Sequence, residues 1–188
     1  MIRSNSQSAR FSTRPSPNTE SAINNRLPTL APAIPYSDLR TPCWPPLARH
    51  DSITGPGLAD DLEVSGTVAA EIYLRSSRSH TDVMARLCDV APDGRSVNVC
   101  DGILRLTAQD EPDAAGVRTA RVELWPTAYR FRRGHRLRLQ VSSGAHPRYD
   151  RNLGTGDQLG TEAVVADQEI LHDPARPSAI LLPVLAGG

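Results

Sequence analysis

An all-β fold, two antiparallel sheets packed as a sandwich or a jelly roll, is predicted for this 188-residue chain by three observations. Apolar and polar side chains alternate with the period of half-buried strands. Turn residues recur at short intervals between the alternating runs. No window of a dozen residues carries a three-to-four apolar spacing free of Pro and Gly. Roughly seven or eight short strands without crossover helices can only bury their apolar faces against one another.

Taken in order, residues 1–50 stand apart. They hold 8 of the 16 prolines and 6 arginines against Glu20 and Asp38, whereas residues 51–188 carry 15 arginines against 19 acids. The break places a boundary near Arg49 to Asp51. Segments such as Arg14-Pro15-Ser16-Pro17 and Leu27-Pro28-Thr29-Leu30-Ala31-Pro32 lack the periodicity needed to bury a core, so residues 1–50 are expected to form a disordered Pro/Ser/Arg-rich arm. Such an arm serves as a linker or as a proline-rich ligand. Residues 51–188 are expected to form one domain, enough to bury about two thirds of its unfolded surface.

Within that domain Val68, Ala70, Ile72 and Leu74 alternate with Ala69, Glu71, Tyr73 and Arg75. The same period returns in Val97, Val99, Asp101 and Ile103, in Val122 and Leu124, and in Leu137, Leu139 and Val141 against Arg136, Arg138 and Gln140. These read as antiparallel strands, each with one wet face. Between them lie Pro92-Asp93-Gly94, Pro112-Asp113, Arg133-Gly134 and Gly154-Thr155-Gly156. Asp93-Gly94 is expected to close a two-residue hairpin, and Arg133-Gly134 to turn between neighbouring strands. Trp125, before Pro126, is expected to fill a core edge together with Leu137, Leu139 and Val141, or else to serve an interface or a sugar-stacking platform.

Composition excludes several functions. The basic residues are all arginine, 21 of them against 21 acids, a balance that argues against nucleic acid or an acidic membrane as partner. No apolar run is longer than that of Ala179 to Leu182, which is far short of the roughly 20 residues of a membrane span. The start Met1-Ile2-Arg3-Ser4 has no apolar block behind it, so no secretory leader is expected and the location is read as cytoplasmic. Cys43, Cys88 and Cys100 are too few for a disulfide scaffold and are expected to be reduced. With a two-residue loop Cys88 would face Val99, and Cys100 would point to the other side of the sheet.

Catalytic signatures are sparse. No G-x-S-x-G elbow occurs. Ser143, His146 and Asp150 contain the side-chain types of a triad but read as a polar loop, because triads are assembled from distant segments around an oxyanion hole. The stretch Asp150 to Asp157 departs from an EF-hand at Thr155 and Thr161 and reads as a turn. His50, His80, His135, His146 and His172 show no zinc-ligand spacing. Arg130, Arg132, Arg136 and Arg138 read as solvated strand faces and ion pairs. No catalytic, cofactor or metal residue is assigned. Trp125, Tyr149 and His146 are the candidate ligand or interface contacts.

Six segments in order carry a family pattern: Asp60-Asp61-Leu62-Glu63-Val64-Ser65-Gly66, Asp89 to Arg95, Asn98-Val99-Cys100-Asp101-Gly102-Ile103-Leu104-Arg105, Leu124-Trp125-Pro126-Thr127-Ala128, Phe131 to Leu139, and Pro147-Arg148-Tyr149-Asp150-Arg151-Asn152. Together they resemble the C-terminal domain of the X-Pro dipeptidyl-peptidase and cocaine-esterase-like hydrolases, and His172-Asp173-Pro174 with Ile180 to Val184 fits its closing strands. The resemblance implies a galactose-binding-like jelly-roll sandwich behind an α/β-hydrolase domain, whose cleft it helps to wall. It also implies a serine peptidase or esterase family without required cofactor, the triad lying in the hydrolase domain on a separate or lost segment. The early strands of that domain have no counterpart before Asp51, so the match is expected to be truncated at its start, with Trp44-Pro45-Pro46 as a remnant. His146 stands where an aromatic is more usual. The alternatives are a stand-alone carbohydrate- or peptide-binding module, or a non-functional gene fragment.

Overall fold

A computed structural model of the chain describes residues 2–4, 50–157 and 159–185. The expected arm, Cys43 and Trp44-Pro45-Pro46 therefore lie outside the described residues, except Ile2–Ser4 and His50. The described residues form twelve strands and no helix: β1 (Ile2–Ser4), β2 (His50–Thr54), β3 (Leu62–Gly66), β4 (Ala69–Ser76), β5 (Thr81–Val90), β6 (Ser96–Leu106), β7 (Arg118–Glu123), β8 (Thr127–Phe131), β9 (Arg136–Ser142), β10 (Gln168–Asp173), β11 (Arg176–Pro177) and β12 (Ala179–Leu181). The fold is all-β, as the alternation predicts. There are more strands than the seven or eight expected because several are pieces of two or three residues that carry no period.

One sheet is built on β4. Antiparallel β7 lies along one of its edges, and β10 and β12 share the other, pairing with Tyr73 to Ser76 and with Ala69 to Glu71 respectively. Strand β1 runs parallel beside β10, and β11 folds back on its end. The second sheet has the order β2-β9-β5-β6, all antiparallel, and β3 pairs with β8 as a separate ribbon. Ala70, Ile72, Leu74, Ala120, Val122, Ile170 and Ile180 from the first sheet meet Ile53, Val83, Ala85, Leu87, Leu137, Leu139 and Val141 from the second in one buried cluster, closed by Phe131 and Val64 from the ribbon. This is a β-sandwich, its core made by the inward half of each alternating run.

The expectation of one wet face per strand fails in the second sheet. Strand β5 is buried along nearly its whole length on both faces, and Arg138 of β9 is buried with its Nε–H donated to Thr54 Oγ1 at 2.7 Å. At the Asp82 end of β5 the reason is a third layer. Residues 143–157 fold back over the outer face, where Asn152 Nδ2 donates to Asp82 Oδ1 at 2.8 Å and Arg105 pairs with the same buried carboxylate at 2.9 Å.

Two turn expectations are corrected. The β5–β6 loop has three residues, because Ala91 N donates to Arg95 O and Gly94 N to Ala91 O, with Gly94 at φ 88°. That is a type I turn closed by a left-handed glycine. Cys88 consequently pairs with Asn98 rather than Val99. A bulge then shifts the register by one residue, so Cys100 lies opposite Leu87. The same bulge breaks the expected face of Val97, Val99, Asp101 and Ile103: Val97 is exposed and Asp101 buried. Arg133-Gly134 is a turn, with Gly134 at φ 79°, but β8 and β9 do not pair. It passes the chain from the ribbon to the second sheet.

Candidate docking site around Asp101 and Trp125

The bulge in β6 carries Asp101 onto the outer face of the second sheet, opposite Arg86 of β5. Its carboxylate is the hub of the site. Arg148, from the covering loop, donates from Nε at 3.1 Å and Nη2 at 2.8 Å to Asp101 Oδ1, and Arg86 Nη2 lies 3.6 Å from Oδ2. The Tyr149 hydroxyl reaches the same carboxylate at 3.5 Å, and the Arg148 guanidinium stands 5.4 Å from the Tyr149 ring centre. Asp101 holds the Arg148 guanidinium above its ordinary pKa, chiefly by hydrogen bonding.

Beside this hub the chain leaves the first sheet. Trp125 N donates to Asp101 O at 3.0 Å, immediately after Leu124 N reaches Val68 O. This anchoring turns the indole outward. Trp125 is 65% exposed, which corrects the expectation that it fills the core alongside Leu137, Leu139 and Val141. Leu124, its neighbour, takes the core position instead. A shallow cleft of about 380 Å³ runs between Trp125 with Pro126 and Arg148, floored by Arg86, Cys100 and Asp101. Burial first, then Asp101 and Cys88, push the Cys100 thiol up to about 12, so it brings no charge to the cleft.

Three comparisons bear on this arrangement. Residues 48–181 match the family described as the X-Pro dipeptidyl-peptidase C-terminal non-catalytic domain. The chain is 38% identical over 138 residues to the cocaine esterase of Rhodococcus sp. (strain MB1 Bresler), covering 68% of this chain and 24% of that enzyme. This chain belongs to the X-Pro dipeptidyl-peptidase C-terminal domain family. Its fold is shared with a selenomethionine-labelled alpha-amino acid ester hydrolase, at 23% identity and TM-score 0.64 over 72% of this chain and 25% of that one. It is shared too with an aminopeptidase from a marine sediment Thaumarchaeota archaeon, at 24% identity and TM-score 0.64 over 73% and 26%. The chain thus spans about a quarter of the length of these relatives.

In this X-Pro dipeptidyl-peptidase C-terminal domain the sequence-level candidates divide. Trp125 and Arg148 line one cleft and Tyr149 shares its carboxylate, while His146 is exposed in the turn that leads into Arg148. Ser143, His146 and Asp150 are exposed, and no hydrogen bond joins them among the described residues. The oxygens of the 150–157 turn face its own backbone: Asn152 Oδ1 accepts from Gly154 N, Thr155 Oγ1 from Asp157 N, and Asp157 Oδ1 from Leu159 N. Arg130 is paired with Glu63 across the ribbon.

Two polar clusters have no signature in the sequence. Arg86 and Asp101 are set face to face by a bulge that no residue type announces. The second cluster lies apart from this site. Asp89 accepts the Tyr129 hydroxyl at 2.9 Å and lies 2.9 Å from His135 Nδ1, tying the ribbon to β5. Burial first, then Asp89, push the Tyr129 hydroxyl above its ordinary value. His135 falls inside the family pattern, which could have drawn attention to it.

Proposed function

We propose that this chain is the accessory domain of an α/β-hydrolase-type serine peptidase or esterase, packing on the catalytic domain and helping to wall its active site. The observation that carries this reading is the family match over residues 48–181 of a chain spanning only 24% of the esterase it resembles. Fold alone does not confer the activity, which belongs to a site. Hydrolysis of acyl esters or Xaa-Pro peptides is assigned to the catalytic domain. We read the sandwich as a galactose-binding-like jelly roll. A stand-alone module for peptide or carbohydrate is the second reading, favoured by the exposed Trp125.

The test is a chimera in which residues 48–185 replace the matching quarter of the Rhodococcus esterase. The expected result is ester hydrolysis by the chimera and none by the 188-residue chain alone. A folded chimera no more active than the esterase lacking that quarter overturns the accessory role.

A further inference from the structure

The cleft between Trp125 and Arg148 has a charge excess that its own residues leave uncompensated. Arg86 and Arg148 share the single carboxylate of Asp101, and Cys100 is neutral. The Arg86 Nε–H is buried with no hydrogen-bond acceptor among the described residues. Arg148 gives Nε and Nη2 to Asp101, and its side chain, 54% exposed, keeps the rest of the fork open to solvent. Trp125 stands across the cleft with its indole uncovered.

Such a place suits one chemistry. A guanidinium pre-set by a buried carboxylate presents its remaining donors without losing further side-chain freedom, and it matches the planar fork of a second carboxylate. An exposed tryptophan beside it offers the apolar area that dominates interface energetics, and Trp and Arg are among the residue types enriched at binding hot spots. We propose that this cleft receives an aspartate or glutamate side chain of the catalytic domain, with the Trp125 indole covering an apolar residue next to it. The identity of the occupant rests on the accessory-domain reading above. The carboxylate chemistry rests on the cleft itself.

The probe is N-acetyl-leucyl-glutamate amide, titrated into the whole 188-residue chain to about 20 mM, beyond the millimolar range of a single anchored side chain. The Trp125 indole N–H resonance, assigned by its loss in Trp125→Phe, should shift saturably. Binding should weaken about tenfold for the glutamine analogue or in Arg148→Gln, the loss of a charge-assisted pair. Equal binding of the two peptides, or no shift with either, overturns the proposal. In the chimera, Trp125→Ala should lower the melting temperature and ester hydrolysis while leaving the isolated chain's melting unchanged. An active chimera indifferent to Trp125→Ala and Arg148→Gln places the docking face elsewhere and overturns the proposal, whereas an inactive chimera overturns the accessory reading and leaves the peptide titration to decide the cleft.

Discussion

Leu139 touches nothing but core. It is completely buried at the centre of the second sheet, and Leu139→Ala should cost about 2 to 5 kcal/mol, read as a shift in the urea midpoint. Ser178 is a less obvious hub. Its buried hydroxyl accepts from Tyr73 N at 2.9 Å and donates to Leu171 O at 2.7 Å, which satisfies a backbone donor at the last residue of β4 that β10 pairs with, before β12 takes over the edge. Ser178→Ala strands that N–H and should cost about 1 to 3 kcal/mol, while Ser178→Thr, keeping the hydroxyl, should recover part of it. Gly102 is demanded by close approach rather than by conformation, since a Cβ there would stand 2.0 Å from the carbonyl oxygen of Glu123. Gly102→Ala must push β6 from the end of β7 and should leave soluble expression far below that of the parent. The core residues of β4 and β9, such as Ile72, Leu74 and Leu139, were legible one by one, since an unbroken alternating run names its own inward face. Ser178 and Gly102 were not, because their roles are set by a neighbour distant in sequence.

At the scale of elements, β4 and β9 are plain in the sequence, whereas β5 is not. Thr81, Asp82, Asp89 and Arg86 interrupt its apolar residues, and its polar groups are tolerated in the interior only because Asn152, Arg105, Tyr129 and the Asp101 hub meet them. No local period can announce partners supplied by a loop some seventy residues later. The hairpin after β5 was predicted in place but not in length, as Asp-Gly suits both two- and three-residue loops. The turn before β7 makes a testable case of local electrostatics. Asp113 Oδ1 accepts the amides of Ala115 at 2.9 Å and Val117 at 2.8 Å. These bonds, with Val117 foremost, hold its carboxyl below the ordinary aspartate value. A carboxyl depressed by folding stabilises at neutral pH, and that stability fades as pH falls through the folded-state value. Asp113→Asn should melt lower than the parent at pH 7, and the gap should close as pH falls below the ordinary aspartate range. A gap independent of pH would assign the effect to geometry instead of charge.

For the molecule as a whole, the sandwich and the absence of helices among the described residues were legible because patterning decides fold class. The docking cleft was half legible: Trp125 and Tyr149 stand out by type, while the acid that organises them is placed by a bulge. The third layer over the second sheet gives the molecule a graded stability. Amides of β5, covered on both faces, should exchange most slowly, and those of the exposed turns fastest, a pattern that hydrogen exchange read by mass spectrometry would show. Comparable exchange in β5 and the exposed turns would mean that the covering loop opens freely.

The two strands that share one edge of β4 have a consequence for how the sandwich is closed. Strand β12 pairs with Ala69, Ala70 and Glu71 and sets Ile180 into the core, and the residues after it run on to the ribbon, where Ser65 N donates to Pro183 O at 3.0 Å and Leu185 N to Glu63 O at 2.9 Å. One short stretch of chain thus bolts the first sheet to β3, and releasing it would uncover the core and free the ribbon in the same event.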